Sequence, residues 1–443
     1  MSLKKKFFHY IIPSIAAMWV FSLYSMVAGI FVGQDEGPAA LAAINIATPV
    51  TSMLFAVALL FATGTSVLVS IAMGKKDQQQ ANEIFTMNVV VVLALSILIW
   101  IASELFAEPL ALFLGADETT LQDVVGYLKI IMAFSSCYMV SYTFEVLVKT
   151  DGFPALATIG VTFGGVVNIA LCYLFIPVLH WGTRGAALAT GLSQLATLVV
   201  FLFHFVGKRA NVRFTRLRIK PRVLGRIVSL GVADCVTEFS VGIVALLFNR
   251  VLMHSALGVD GVSTYAVIAY VTQLVIMTYV GVNQGTQPLV SYEFGTGDRG
   301  RYLTVFGMAA KTIGVLSLAA FIGCILLAPQ IVQAFIPQAE NPQLFAASVS
   351  AFRTYSLSYL VAGFNIIMAG FLSAVEKPAC ALTISLARGL VVITACLYAL
   401  AALVGGTGVW FAAPLSEFLC LGLSLGIYLY QHRRIQSAVV HTF

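Results

Sequence analysis

The sequence predicts an all-α polytopic membrane protein: twelve transmembrane helices in two six-helix lobes related by a pseudo-two-fold axis along the membrane normal. Three observations predict it. Of 443 residues, 60% are hydrophobic and 10% charged, against about 25% charged in soluble domains, which leaves too little polar surface to coat a water-soluble globule. The apolar residues fall in runs of about 20 rather than in alternating ten-residue segments, which favours helices over a barrel; only those two structures satisfy every backbone polar group in lipid. The third observation is a repeat. Gly64-Thr65, Ser70, Gly74 and Asp77 recur as Gly285-Thr286, Ser291, Gly295 and Asp298, each 221 residues on (64 to 285), and Leu192-Ser193-Gln194 recurs as Leu415-Ser416-Glu417, 223 on (192 to 415). An even number of helices in each half gives both repeats one orientation in the membrane.

Runs and breakers place the spans in order. The first, 8–33, follows Lys4, Lys5 and Lys6, and its apolar run continues past signal-peptide length to Val32, so it is expected to be retained. The second, 39–73, closes on Gly74-Lys75-Lys76-Asp77, and the third, 86–107, closes among Glu104 and Glu108. The fourth, 125–148, opens after Asp117, Glu118 and Asp123 and ends at Lys149; the fifth and sixth are 155–179 and 185–207. The most polar stretch of the chain follows, residues 208–226, with Lys208, Arg209, Arg213, Arg216, Arg218, Lys220, Arg222 and Arg226 and no acid. It reads as a basic cytoplasmic linker between an N-terminal lobe, 1–207, and a C-terminal lobe, 227–443. The second lobe carries spans at 227–253, 262–294, 303–328, 352–374, 379–404 and 409–430. Pro13, Pro49, Pro154, Pro288 and Pro414 stand in or beside spans as expected kink sites.

The net charge of +6 does not call for a nucleic-acid partner, because the basic residues follow membrane side rather than one folded face. With the N-terminus inside, 20 of the 25 Lys and Arg lie inside; Lys129, Arg184, Arg250 and Arg353 lie outside, and Arg388 falls in mid-span. Asp35, Glu36, Glu104, Glu108, Asp117, Glu118 and Asp123 collect outside. Both termini are therefore expected in the cytoplasm, in a multi-pass protein of the cytoplasmic (inner) membrane. Seven cysteines lie scattered through apolar stretches, and six histidines fall mostly at span ends or tails, so no disulfide, metal site or cofactor is expected beyond a coupling ion. No Asp-Asp-x-x-Asp, His-Glu-x-x-His or nucleophile elbow occurs, which disfavours an intramembrane transferase and leaves no catalytic residue to assign. The expected partners are a small-molecule substrate and membrane lipid, and the chain is expected to act as a monomer.

Ionisable groups near the membrane midplane are costly and mark function by default. In the seventh span Asp234 and Glu238 stand four residues apart on one helix face, with Glu238 about 17 Å in from Ile227 at about 1.5 Å per residue. Two like carboxylates in a weakly solvated site resist being ionised together, which is the property required of an ion-coupling group. Arg388, about 14 Å into the eleventh span from inside, and Glu417, about 12 Å into the twelfth from outside, are placed to meet. They read either as a structural ion pair or as one broken and remade during transport. Glu145 and Glu293 sit near the cytoplasmic ends, where they are expected to snorkel to water as anchors or gates. Tyr24, Tyr138, Asn168, Thr190, Gln194, Tyr270, Gln273, Asn283, Gln284 and Asn365 are candidates for lining a substrate cavity or for bonding helices together.

Ordered along nearly the whole chain, several segments resemble the multidrug and toxic compound extrusion (MATE) family, part of a larger superfamily that includes polysaccharide and lipid flippases. They are YSMVAGIFVG from Tyr24 to Gly33, LLFATGTSVLVSIAMGKKD from Leu59 to Asp77, KTDGFP from Lys149 to Pro154, Asn168-Ile169, GAALATGLSQ from Gly185 to Gln194, and QGTQPLVSYEFGTGD from Gln284 to Asp298. The Gln-Gly-x-Gln-Pro piece is similar to the bacterial subfamily typified by staphylococcal drug exporters. The resemblance implies a proton-linked network in the N-terminal lobe, built on an aspartate in span 1 and an Asn-x-x-x-Asp in span 5. This chain has Ala28 at the first position and Asn168 with Cys172 at the second, keeping Thr190 in span 6. Both acids are missing. Glu238 is similar to the span 7 glutamate that another branch uses for cation binding, and its span 10 aspartate partner falls at Ala362.

The sequence thus leads to a secondary active antiporter that exports amphipathic cationic small molecules in exchange for H+ or Na+ by alternating access, with coupling moved to the C-terminal lobe and Glu238 as the lead carboxylate. The alternative keeps the architecture and changes the cargo to a lipid, lipid-linked sugar or metabolite, moved with weak or no ion coupling.

Overall fold

Asp77 and Asp298, the last matched pair of the repeat, are helix caps. Each carboxylate accepts a backbone N–H three residues on, Asp77 from Gln80 at 2.9 Å and Asp298 from Arg301 at 3.0 Å. This satisfies one of the donors that a helix start leaves unpaired. Each cap follows a left-handed residue, Lys76 (φ 61°) and Gly297 (φ 81°), so the duplication holds down to individual turn conformations. The same applies further on, where Gly152 (φ 101°) precedes Pro154 and Glu376 (φ 57°) precedes Pro378.

The computed structural model describes residues 2–35, 37–118 and 120–440. Glu36 lies outside them, as do the side chains of Ala28, Arg433 and Arg434. Among the described residues the regular elements are helices: α1 (Leu3–Asp35), α2 (Gly37–Gly74), α3 (Gln78–Phe113), α4 (Leu121–Ala133), α5 (Ser135–Thr150), α6 (Pro154–Tyr173), α7 (Gly182–Val206), α8 (Pro221–Met253), α9 (Gly258–Gly295), α10 (Arg299–Gln333), α11 (Pro342–Ser356), α12 (Tyr359–Ala374), α13 (Pro378–Leu386), α14 (Val392–Val404) and α15 (Val409–Val440). Eleven helical segments among these residues are long and apolar enough to cross a membrane, and α4 with α5, bent by 51°, makes a twelfth.

The expected straight span 125–148 is that bent pair. At the break Ser135 Oγ donates to the Ser96 carbonyl (3.0 Å), and the Ser136 and Ser96 hydroxyls meet at 2.8 Å, so α3 supplies partners for the polar groups beside the bend. The span expected at 352–374 begins ten residues earlier, at Pro342, behind the Asn341 cap. Pro13, Pro49, Pro288 and Pro414 do sit inside helices. Pro154 instead opens α6 in its first turn, where the missing N–H has no helical partner to lose. Two π-helical turns interrupt the regular pattern, Leu174–Val178 after α6 and Ala387–Val391 between α13 and α14.

Two compact units divide the chain: Met1–Cys235 with Gln284–Tyr302, and Val236–Asn283 with Leu303–Phe443. In the first unit α1 packs on α6, α2 on α3 and α5, and α7 on α4, α5 and α6. The linker is stitched to this unit along residues 210–220. Phe214 lies against Phe85 (ring centroids 4.9 Å) and Phe144 (6.4 Å), Thr86 Oγ1 accepts from the Thr215 backbone, and Glu83 holds Arg218 (3.2 Å) and Lys220 (2.6 Å). Its start is fastened by Asp151, whose carboxylate accepts from the Val212 and Asn211 backbone at 2.7 and 3.2 Å and meets His204 at 2.8 Å.

At the linker end of this unit, helices meet backbone to backbone. A Cβ added at Gly74 would collide with the Tyr292 carbonyl oxygen, and one at Gly295 with that of Ile71. These two contacts exchange under the repeat, since 71 and 74 become 292 and 295. Gly64 meets the Ile227 carbonyl and Gly231 that of Leu60 in the same manner, which locks α2 to the first turns of α8. Gly285 sits at 3.0 Å from the Tyr10 carbonyl by the same measure, which brings α9 onto α1.

The second unit centres on aromatic contacts. Phe248 stacks on Tyr265 at 4.8 Å, Tyr279 donates to the Tyr359 carbonyl at 2.9 Å, and the Thr272 and Tyr359 hydroxyls meet at 2.7 Å.

Candidate functional site

Two adjacent glycines on α6, Gly164 and Gly165, let Thr197 of α7 and Tyr24 of α1 approach closely. The space left beside them is a cavity of about 30 Å³ lined by Tyr24, Tyr138, Ser141, Tyr142, Glu145 and Gln194, among others. Ser141 donates to Gln194 Oε1 at 2.7 Å across its wall. Tyr24, Tyr138 and Gln194 thus share one site, with room for a water or two and not for a drug-sized molecule.

Glu145 continues from this cavity into a dry network. Lys149, one turn on, donates to Glu145 Oε1 at 2.8 Å and to Gln284 Oε1 at 2.9 Å, and Gln284 Nε2 donates to the Tyr142 hydroxyl at 3.1 Å. Lys149 is 1% exposed and Gln284 is buried. The expectation that Glu145 reaches water does not hold: it is buried and paired with Lys149, which Gln284 of α9 meets from the other side. Glu293 is also buried, and its pairing with the exposed Arg301 at 2.9 Å replaces the expected snorkel. The Glu145–Lys149 pair is a signal the sequence carried in its i, i+4 spacing, although counting depth from the helix end hid it.

Asp234 stands on α8 where α2 and α9 meet. Thr63 and Gln287 lie against its carboxyl group. Asp234 is half-buried; its Oδ2 is out of reach of solvent and has no hydrogen-bond partner among the described residues, and the same holds for the Gln287 Nε2 amide. The Thr63 hydroxyl gives its proton to the Leu59 carbonyl at 2.8 Å. Glu238, the next acid along α8, is half-buried and makes no ion pair among the described residues.

In the second unit Arg388 and Glu417 do meet, Nε to Oε1 at 2.8 Å, with both side chains largely buried. Asn365 donates to Glu417 Oε2 at 2.8 Å and to its carbonyl at 3.0 Å, while Ser424 donates to Asn365 Oδ1 at 3.0 Å. Arg388 stands in the π-helical turn, and Gly389 beside it leaves the space that Ser240 of α8 occupies. Ala362 is buried one turn before Asn365.

The remaining candidates are apart from these groups. Asn168 lies within 3.5 Å of Ser193 Oγ and 3.8 Å of the Cys172 sulfur, and Thr190 bonds back to its own helix at Ala186. Gln273 is exposed, and Tyr270 is exposed and stacked on Phe335. Ser141, Tyr142 and Lys149 belong to the polar groups of the first unit and were not singled out from the sequence.

The MatE family model matches the chain twice, at residues 13–174 and 235–397, which bears out the duplication with offsets of 222 at the start and 223 at the end. "Multidrug export protein MepA" of Staphylococcus aureus (strain bovine RF122 / ET3-1) is 24% identical over 433 residues, covering 97% of this chain and 94% of the relative. The protein of that name from Staphylococcus haemolyticus is 24% identical over 432 residues, covering 96% and 93%. Among solved structures, an outward-facing multidrug resistance MATE family transporter of the MOP superfamily aligns with TM-score 0.91 at 23% identity, over 99% of this chain and 97% of the other. A MOP superfamily transporter from Pyrococcus furiosus, described as having a binding pocket of reverse polarity, aligns with TM-score 0.90 at 23% identity, over 99% and 97%. With the family model covering most of both halves, and with eleven apolar spans, or twelve with the bent pair, among the described residues of the family's fold, this chain belongs to the MatE family of membrane transporters.

Proposed function

We propose that this protein is a secondary active exporter that moves amphipathic, mostly cationic small molecules out across the cytoplasmic membrane in exchange for H+ or Na+. The observation that carries the coupling is the half-buried Glu238 on α8, an intramembrane carboxylate without an ion-pair partner among the described residues. Asp234 is the second carboxylate of the path. Kinship with proteins named for multidrug export supports the cargo class. Both termini and the linker face the cytoplasm in this reading, in keeping with the distribution of basic residues. The two six-helix lobes, 1–207 and 227–443 about the linker 208–226, alternate access to the two sides.

The chemistry is differential affinity. Neutralising Glu238 by a proton or Na+ in the outward-facing state removes the counter-charge of a cationic cargo and releases it, and ionisation on the cytoplasmic side restores the counter-charge. Aromatic side chains add cation–π and apolar contacts that tolerate varied shapes. The transporter acts as a monomer, uses no cofactor beyond the coupling ion, and performs no covalent chemistry. A second reading, export of a lipid, lipid-linked sugar or metabolite with weak or no coupling, draws on Cys172, which contacts Asn168 where relatives place an acid.

Efflux from inverted vesicles under separately imposed H+ and Na+ gradients tests the proposal. Glu238→Gln is expected to abolish gradient-driven transport while leaving substrate binding measurable. Undiminished gradient-driven transport in that variant would overturn coupling at Glu238.

A further inference from the structure

Glu108 interrupts an apolar pattern on α3. Leu98, Ile101, Leu105 and Leu112 are all exposed and follow one another by three, four and seven positions, which sets them on one helix face. Glu108, three after Leu105 and four before Leu112, falls on the same face and is exposed too. In a chain that spans a membrane, such a stripe faces lipid. Its end lies at headgroup level: Glu83, beside the linker, and Glu108 are 25 positions apart on this helix (83 to 108). That is about 37 Å at about 1.5 Å per residue, beyond the roughly 30 Å of hydrocarbon and within the roughly 40–45 Å that includes the headgroups. Trp181, half-exposed just before α7, is a residue type enriched at that level.

Glu108 also lines a cleft of about 550 Å³, walled by Val125, Lys129 and Ile130 of α4 and by Arg184 of α7. Gly126 leaves room for the arginine, since a Cβ there would come within 2.8 Å of Arg184 Nε. Lys129 has Glu104 at 3.5 Å, with both side chains nearly half open. Arg184 and Glu108 make no hydrogen bond or ion pair among the described residues, although both line the cleft. The cleft thus presents a cation and an anion that do not neutralise each other.

We propose that this cleft binds a zwitterionic phospholipid headgroup of the phosphatidylethanolamine type, with the phosphodiester on Arg184 and Lys129 and the primary ammonium on Glu108. A guanidinium matches two phosphate oxygens at once, and an ammonium donates to a carboxylate. A headgroup with negative charge alone would leave Glu108 facing like charge, and a quaternary ammonium has no N–H to give it. The acyl chains run down the stripe past Leu105 and Ile101. A soluble phosphoethanolamine diester carries the same chemistry; the lipid is assigned because the stripe continues the cleft into the hydrocarbon. The assignment needs only insertion in a membrane, and not the cargo, the coupling at Glu238 or the cytoplasmic orientation.

The test is native mass spectrometry of the full-length protein, delipidated in detergent, with dioleoyl phosphatidylethanolamine, phosphatidylglycerol or phosphatidylcholine added one at a time. The ethanolamine lipid is expected to bind about three- to fivefold more tightly than the other two, the scale of one exposed charged contact. Arg184→Gln is expected to weaken all three lipids. Glu108→Gln is expected to bring the ethanolamine lipid down to the level of the glycerol lipid, which itself gains. Both side chains are exposed, so the thermal midpoints of the variants should match the parent's. A parent without headgroup preference, a preference that survives Glu108→Gln, or binding unmoved by Arg184→Gln would overturn the proposal. Soluble glycerophosphoethanolamine at equal concentration is expected to leave the bound lipid in place; displacement would overturn the lipid assignment in favour of a free diester.

Discussion

Lys149 donates to Glu145 across 2.8 Å with both side chains shut away from solvent, and Gln284, 135 positions further along the chain, takes a second proton of the same ammonium. A buried pair of this kind adds little over apolar residues of the same shape, but removing one partner strands the other charge in low dielectric. Lys149→Met is expected to cost about 3–5 kcal/mol of stability, read as the thermal midpoint in detergent. Glu145→Gln/Lys149→Met together should cost less than Lys149→Met alone; an additive loss would mean the pair acts through packing.

Arg388 and Glu417 obey the same logic with an added member, since Asn365 fixes the second Glu417 oxygen. Either Arg388→Met or Glu417→Gln is expected to impair folding or transport more than the double substitution. Asn365→Ala should weaken the pair without abolishing it. Expression level and efflux of the three variants against the double check this, and a double no better than the worse single would refute it.

Lys76 occupies a left-handed turn position that the second repeat gives to Gly297. Lys76→Gly is expected to stabilise the protein by up to about 1 kcal/mol, and Gly297→Lys to destabilise it by about 1–2 kcal/mol, because a Cβ crowds that conformation. Thermal midpoints of the two variants test it, and the signs should be opposite.

The linker is held by Glu83 and by the face of Phe214 on Phe85 and Phe144. Its ion pairs have partners about half open to water, 59% and 48% exposed, so Glu83→Gln should release it only slightly. Phe214→Ala should release it by more. Trypsin cleavage between Lys208 and Arg222 measures both, with the faster cleavage expected in Phe214→Ala; equal rates would mean that charge alone holds the strap.

Helix number, the duplication and the Arg388–Glu417 encounter were legible in the sequence for simple reasons. Long apolar runs count themselves, and a fixed rise per residue places two charges at one depth when they are measured from opposite ends. The bend at Phe134 was not legible, because Ala133-Phe134-Ser135 contains no helix breaker and the compensating hydroxyl, Ser96, is on another helix. The surroundings of Glu145 and Glu293 were misjudged for a related reason. Depth along one helix says nothing of what lies against its end: Gln284 of α9 meets the Lys149 partner of Glu145, and Arg301 of α10 pairs with Glu293. Asp234 and Glu238 looked equivalent as i and i+4, yet Asp234 sits in a seam between Thr63 and Gln287 while Glu238 does not pair with a described charge. Neighbours brought in by tertiary packing, not spacing, separate their roles.

The seam between α2, α8 and α9 is built from carbonyl oxygens on one side and absent side chains on the other. This divides its residues into two classes for mutation. At Gly64, Gly74, Gly231 and Gly295 even alanine acts as a wedge, whereas Leu60, Ile71, Ile227 and Tyr292 meet those glycines through atoms that every amino acid shares. Saturation mutagenesis of the seam should therefore find four positions that accept nothing. Each faces a partner whose share of that particular contact is blind to which amino acid occupies the site.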